Sequence, residues 1–228
     1  GKLIMVKVVL AQKILHANEE VALKNKLLLK EKGIVMVNLI SSPGAGKTTL
    51  LEKTLPLLKD KFGVGVIEGD IYTTQDAERI AQKGVEVVQI NTEGACHLDA
   101  AMIREALDQL PIDKLDIIFV ENVGNLVCPA EFDLGDDLKI VVSSVAEGMD
   151  KPAKYPLAFQ KACANVITKI DLMPYTDFDL GAYIESVLKI NPNLKVFPLS
   201  AVKDYGVEEW GQFIGRMLWN RRRESNAY

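Results

Sequence analysis

The apolar segment Val35–Ile40 runs directly into Ser41-Ser42-Pro43-Gly44-Ala45-Gly46-Lys47-Thr48-Thr49, and an apolar stretch of helical pattern follows. Strand, glycine-rich loop and helix in that order form the setting in which a phosphate-binding loop works. This order constrains the fold more than any other feature of the chain. Gly44 and Gly46, with Ala45 between them, let the backbone turn its N–H groups toward phosphate oxygens, and the helix start adds partial positive charge. Lys47 is placed to bridge the β- and γ-phosphates and the Thr48 hydroxyl to hold Mg²⁺, with Thr49 the last nucleotide-binding residue of the loop. Ser41 stands where the pattern usually has its first glycine.

Six further apolar runs read as strands: 64–67, 85–90, 117–120, 138–143, 166–168 and 196–199. Amphipathic stretches at 49–59, 98–109, 178–189 and 207–219 lie between or after them. Nearly continuous apolar strands alternating with helices predict an α/β fold: a doubly wound, mostly parallel sheet covered by helices on both faces, as in P-loop NTPases. A helix is expected from about Ala11 to Lys32, ended by Gly33 in a left-handed conformation. The expected organisation is an N-terminal helical appendage (1–33) and one nucleotide-binding domain (34–228), with Met5 a candidate natural start. At 48% hydrophobic residues the chain can bury a full core, and a net charge of −4 argues against nucleic acid as a partner. No apolar run approaches the roughly 20 residues of a membrane span. Three cysteines are an odd set, unlike a disulfide framework, and they suit a reducing cytoplasm. Arg221–Arg223 read as a solvated helix terminus.

Thr168-Lys169-Ile170-Asp171 follows the sixth strand and fits the Asn/Thr-Lys-x-Asp pattern of guanine recognition. The Asp171 carboxylate can accept from guanine N1–H and its 2-amino group, a donor pair that adenine lacks. The Lys169 stem can lie over the base. Thr168 in place of Asn should weaken the tie to the phosphate loop. Ser200-Ala201 resembles a Ser-Ala turn whose backbone meets the guanine oxygen. Glu121 and Gly124, three residues apart at the end of the fourth strand, fit a γ-phosphate sensor: the acid toward Mg²⁺, the glycine N–H toward the phosphate. Asp70, after the second strand, is a second candidate for Mg²⁺ or the attacking water, and Asp76 a weaker one. The expected cofactors are GTP/GDP and Mg²⁺.

Cys96 and His97 are adjacent at the expected start of a helix, and Cys128 lies four residues past Gly124. Two thiolates and an imidazole suit Zn²⁺ and also Ni²⁺, although a cysteine taken singly reads as a small buried hydrophobe. Cys163 reads as packing and His16 as a surface residue.

The motifs SSPGAGKTTLLEK, GDIYTTQDAERI, TEGACHLDAAMI, ENVGNLVCPAEFDLG and TKIDLMPY together resemble the hydrogenase nickel-incorporation GTPases, the HypB family. The resemblance spans about Gln12 to Trp219. It implies slow GTP hydrolysis, Ni²⁺ or Zn²⁺ held by Cys96, His97 and Cys128 at a dimer interface, and a GTP-dependent homodimer. It also implies a nickel-carrying accessory protein and a hydrogenase large subunit as partners. Some members carry an N-terminal cysteine motif or a His-rich tract; this sequence contains neither, so nickel storage is not expected. Urease-type nickel GTPases are expected to carry Cys-Pro-His, whereas Cys128 is followed by Pro129 and Ala130. A cobalamin-enzyme chaperone would lack the paired metal motifs, and a P-loop kinase would not need Thr-Lys-x-Asp.

Overall fold

The computed structural model describes residues 2–69 and 74–225, with side chains from residue 13 to residue 224 in that range. Seven strands form one parallel sheet: β1 (Val35–Ser41), β2 (Val64–Glu68), β3 (Glu86–Gln89), β4 (Ile117–Glu121), β5 (Leu138–Ser144), β6 (Ala164–Thr168) and β7 (Lys195–Pro198). Their order across the sheet is β3-β2-β4-β1-β5-β6-β7, and each coincides with an expected apolar run. The helices are α1 (Lys2–Glu31), α2 (Lys47–Leu58), α3 (Gln75–Ala81), α4 (Ala100–Gln109), α5 (Cys128–Glu131), α6 (Lys151–Lys154), α7 (Pro156–Lys161), α8 (Leu180–Ile190) and α9 (Val207–Ser225).

The period-two alternation of a strand distributes the helices. On β1, Val35, Val37 and Leu39 meet Leu51 and Leu55 of α2 and Trp210 and Ile214 of α9. Met36, one residue out of phase, meets Leu29 of α1 and Ile103 and Leu107 of α4. Ile40 belongs to a third cluster with Phe159 of α7 and Tyr183 and Val187 of α8. Both faces are therefore dry, which is why the strands lack a polar alternation. Asn38 interrupts the apolar run of β1, fully buried between the pairs to Val120 and Lys139.

α1 is docked by amides as well as by apolar packing. Asn25 Nδ2 donates to the carbonyls of Ala100 (2.9 Å) and Leu134 (3.1 Å), and Asn18 Oδ1 accepts from Ala100 N (2.8 Å). Gly135, at φ 86°, lets the facing loop approach: a Cβ there would stand 2.5 Å from Ala22 O. At its C-terminus Gly33 N–H bonds Lys30 O and Ile34 N–H bonds Leu29 O, with Gly33 at φ 69°. That is the left-handed termination expected of the glycine. The helix extends N-terminally to Lys2 rather than starting near Ala11.

Two sequence readings are corrected here. The amphipathic stretch at 98–109 becomes helical only at Ala100, because Asp99 caps it: its Oδ1 accepts from Met102 N at 2.8 Å. Arg221 and Arg222 are not a solvated terminus. Arg221 pairs with Asp137, while Arg222 donates to Asp116 (2.9 Å) and lies over the Phe62 ring at 4.6 Å. The short helices α3 and α5–α7 were not visible as periodic patterns; α3 buries only Ile80. Among the described residues, no helix is long and apolar enough to cross a membrane.

Candidate nucleotide and metal sites

β1 pairs with β4 on one side and β5 on the other: from β1 the chain goes to β2 and β3 on the first side, and from β4 it crosses β1 to reach β5 on the second. A crevice at such a switch point, outside the carboxyl ends of the strands, is where α/β sheets bind ligands. Here it is a cleft of about 530 Å³, lined by Pro43–Thr49, the sensor segment 121–124, Glu68 and Lys169. Gly44 (φ 76°) and Gly46 (φ 96°) supply the left-handed turns that direct the loop amides inward, and Gly46 caps α2.

Lys47 Nζ donates to Ser41 Oγ at 2.6 Å, so the serine at the first-glycine position gives the ammonium a partner. Burial pushes the Lys47 pKa down, and the carboxylates of Glu121 and then Glu68 oppose that shift. The Thr48 hydroxyl donates to Glu121 Oε1 at 2.6 Å; Glu121 Oε2 is buried and has no hydrogen-bond partner among the described residues. Carboxylate oxygens of Glu68, Asp76 and Glu121 lie within 4.8 Å of one another beside Thr48. Three acids converging on one point, with a buried oxygen of Glu121 left over, fit a hard divalent cation with oxygen ligands. Asp70 lies outside the described residues. Asp76, read from sequence as the weaker candidate, is in the cluster. Glu68 was missed, although an acid ending an apolar strand was its visible signal. Arg79 also lines the cleft and is held by Glu52 at 2.8 Å.

Thr168 reverses the expectation of a weaker tie to the loop. Its Oγ1 donates to Ala45 O at 2.6 Å, and Lys169 Nζ donates to Gly44 O at 2.9 Å. Lys169 itself lines the cleft and sits at φ 60°, in the left-handed region, two residues before Asp171. Ser200 Oγ donates to Asp171 Oδ1 at 2.7 Å and accepts from Lys203 N at 3.2 Å. The serine thereby orients the carboxylate, and Ala201 follows it in the turn.

The second site lies on the surface beyond the ends of β3 and β4. Cys96 Sγ, a ring nitrogen of His97 and Cys128 Sγ all lie within 4.8 Å of one another, with the sulfurs 3.0 Å apart and His97 Nδ1 3.3 Å from Cys96 Sγ. The hydrogen bond shared with Cys96, and then burial, push the Cys128 thiol up to about 11. Burial lowers the His97 pKa, keeping the imidazole neutral and able to ligate at neutral pH. Its ring stacks on Phe132 at 3.9 Å between centroids. Two thiols and a neutral imidazole form a donor set for Zn²⁺ or Ni²⁺. Cys163 is half-buried against the first core cluster, and His16 is exposed beside Glu19 and Glu20, both apart from this group.

A family model for the CobW/HypB/UreG nucleotide-binding domain matches residues 35–198, from the start of β1 to the end of β7. Over 197 residues the chain is 46% identical to the hydrogenase maturation factor HypB of Escherichia coli K12, covering 86% of this chain and 68% of that one. The probable HypB of Methanocaldococcus jannaschii is 42% identical over 209 residues, 92% of this chain and 95% of that protein. This chain belongs to the HypB family. HypB structures also share its architecture. The crystal structure of HypB from Helicobacter pylori in complex with nickel superposes with a TM-score of 0.84 at 39% identity, over 91% of this chain and 96% of that one. HypB from Archaeoglobus fulgidus gives the same TM-score at 35% identity, over 89% and 99%. As a member of that family, the chain is a P-loop GTPase of hydrogenase maturation.

Proposed function

We propose that the chain is a nickel metallochaperone whose GTP state sets its affinity for the metal, with Ni²⁺ as cargo at Cys96, His97 and Cys128. The observation that carries this reading is the continuity of the segment from Glu121 to Cys128. Its first residues line the nucleotide cleft, and its last supplies a sulfur to the metal cluster. One short segment biased by γ-phosphate at one end and metal at the other gives a coupling free energy without any distant relay.

In this reading Gly44–Thr49 hold the phosphates, Lys47 moves from Ser41 to the β- and γ-oxygens, and Gly124 N–H meets the γ-phosphate. Thr48, Glu121, Glu68 and Asp76 would hold Mg²⁺, which would supply positive charge against the phosphates; Asp70 is a further candidate. Asp171 reads guanine, with Ser200 and Thr168 keeping it and the phosphate loop in register. Cys96 is exposed and Val127 is 50% exposed, so the chelate is open to a fourth ligand from outside the chain. That opening supports a GTP-dependent homodimer at this face and release of the cargo to a hydrogenase large subunit, after loading from a nickel-carrying accessory protein. The division into an appendage (1–33) and a GTPase domain (34–228) is supported by the family match beginning at residue 35. The expected compartment is the cytoplasm, where thiols stay reduced.

Calorimetric titration of Ni²⁺ into the protein with GDP, and then with a non-hydrolysable GTP analogue, tests the reading. The two affinities should differ; equal affinities refute the coupling and leave a GTPase with a static metal site.

A further inference from the structure

The chelating residues lie on two arms that are secured in different ways. The Cys128 arm runs along the phosphate loop. Gly124 presses on it, since a Cβ there would stand 3.0 Å from Pro43 Cα, and Asn125 forms a bridge to Ser41. Asn125 Oδ1 then accepts from Val127 N at 2.7 Å, one residue before Cys128. The Cys96–His97 arm is fastened to the sheet. The next residue, Leu98, is fully buried, and its N–H donates to Asn122 Oδ1 at 3.2 Å. The same oxygen accepts from Val123 N at 2.9 Å, and Asn122 Nδ2 donates to Asn38 Oδ1 at 3.1 Å. Asn38 is central in β1, between β4 and β5. Leu98, which directly follows the Cys96–His97 pair, is thus bonded to the residue after Glu121.

We infer that the Asn122 carboxamide is the fixed anchor against which movement of the Cys128 arm changes the chelate. Asn122 is thus a positioning residue for the metal rather than a ligand. The inference rests on the coupling reading above and names the part that makes it work. Two arms that shifted together would present the same geometry, and the same affinity, in both nucleotide states. A difference in affinity requires one arm to stay while the other moves. The Gly124–Cys128 arm touches the loop that changes its ligand. The Leu98 arm is held by an amide that is 3% exposed and joins three segments. Breaking those bonds leaves buried donors and acceptors unmet, so this arm resists displacement.

The test is the ratio of nickel affinities in the GDP and GTP-analogue states, measured for wild type, Asn122→Ala and Asn38→Ala. Asn122→Ala should still take up nickel, because both sulfurs and the imidazole remain, while its ratio falls to within about twofold of unity. Asn38→Ala, which strips Asn122 Nδ2 of its acceptor, should lower the ratio in the same direction. Hydrogen exchange on the wild type needs no variant: residues 124–128 should change protection between nucleotides, and the Leu98 amide should stay protected in both. A wild-type ratio in Asn122→Ala, or a Leu98 amide whose exchange follows the nucleotide, overturns the anchor. A wild type with equal affinities overturns the coupling reading and the anchor with it, and that failure is distinguishable because it precedes any substitution.

Discussion

Thr168→Val isolates one hydroxyl at the junction of the phosphate loop and the base-reading turn. The substitution keeps the side-chain volume and removes the donor that reaches Ala45 O at 2.6 Å and lies 3.1 Å from Ser143 O. One hydroxyl proton can serve only one of these carbonyls fully, and the nearer is Ala45. Thr168 is 5% exposed, so water cannot replace the bond without movement of the chain. A buried carbonyl left unmet costs about 1–3 kcal/mol. If the loop holds its place, the loss appears as stability of the nucleotide-free protein, roughly 2–4 °C of melting temperature per kcal/mol at this size. If the loop relaxes outward to hydrate the carbonyl, the same free energy appears as weaker GDP binding, about 5- to 150-fold over that range. Melting curves without nucleotide and calorimetric titration with GDP together capture both forms of the loss. Thr168→Ser, which keeps the hydroxyl, should recover most of it. A Val variant that both melts and binds GDP as the wild type does would refute the reasoning, leaving the loop positioned by Lys169 and packing alone.

Asp171→Asn should weaken GTP binding and shift preference toward xanthosine nucleotides, because the amide inverts the donor–acceptor match; a competition titration with unchanged preference excludes Asp171 as the base reader. Metal uptake should strengthen as pH rises from about 7 to 9, because ligation needs thiolates and removes their protons. The Cys128 thiol stands at about 11 without metal, so its proton must be displaced throughout that window. His97, with its pKa lowered, is already neutral there and adds no dependence. Titrations in buffers of different ionisation enthalpy would show the proton release, and uptake that is flat across this range would contradict it.

The sheet was legible because every strand coincides with a predominantly apolar run, as expected where both faces of a parallel sheet are covered. The phosphate loop and Thr-Lys-x-Asp were legible because their chemistry is compressed into consecutive residues. What escaped was chemistry assembled across strands. Glu68 and Asp76 meet Glu121 only because β2 lies beside β4. Asn122 reads as a filler between Glu121 and Gly124 until Asn38 and Leu98 are seen on either side of it. Asn38 did carry a signal: an amide in the middle of an apolar strand needs a partner, and sequence order does not say which. The strength of the Thr168 tie was misjudged for a related reason. Its partner is a main-chain carbonyl, and only the backbone trace shows how near that carbonyl comes.

The chain has two tryptophans, and the fold gives them opposite surroundings. Trp210 is fully buried, and its indole N–H donates to Thr54 Oγ1 at 2.9 Å on α2, the helix whose first turn carries Lys47 and Thr48. Trp219 is 49% exposed, edge-on to Phe62 and 5.3 Å from the Arg222 guanidinium. One indole therefore emits from an apolar setting closed to aqueous quenchers, and the other from water beside a cation. The native protein contains its own pair of optical probes, separable by iodide. The shielded one is hydrogen-bonded to the helix that rises from the phosphate loop, so the nucleotide cleft has a fluorescent neighbour without any label.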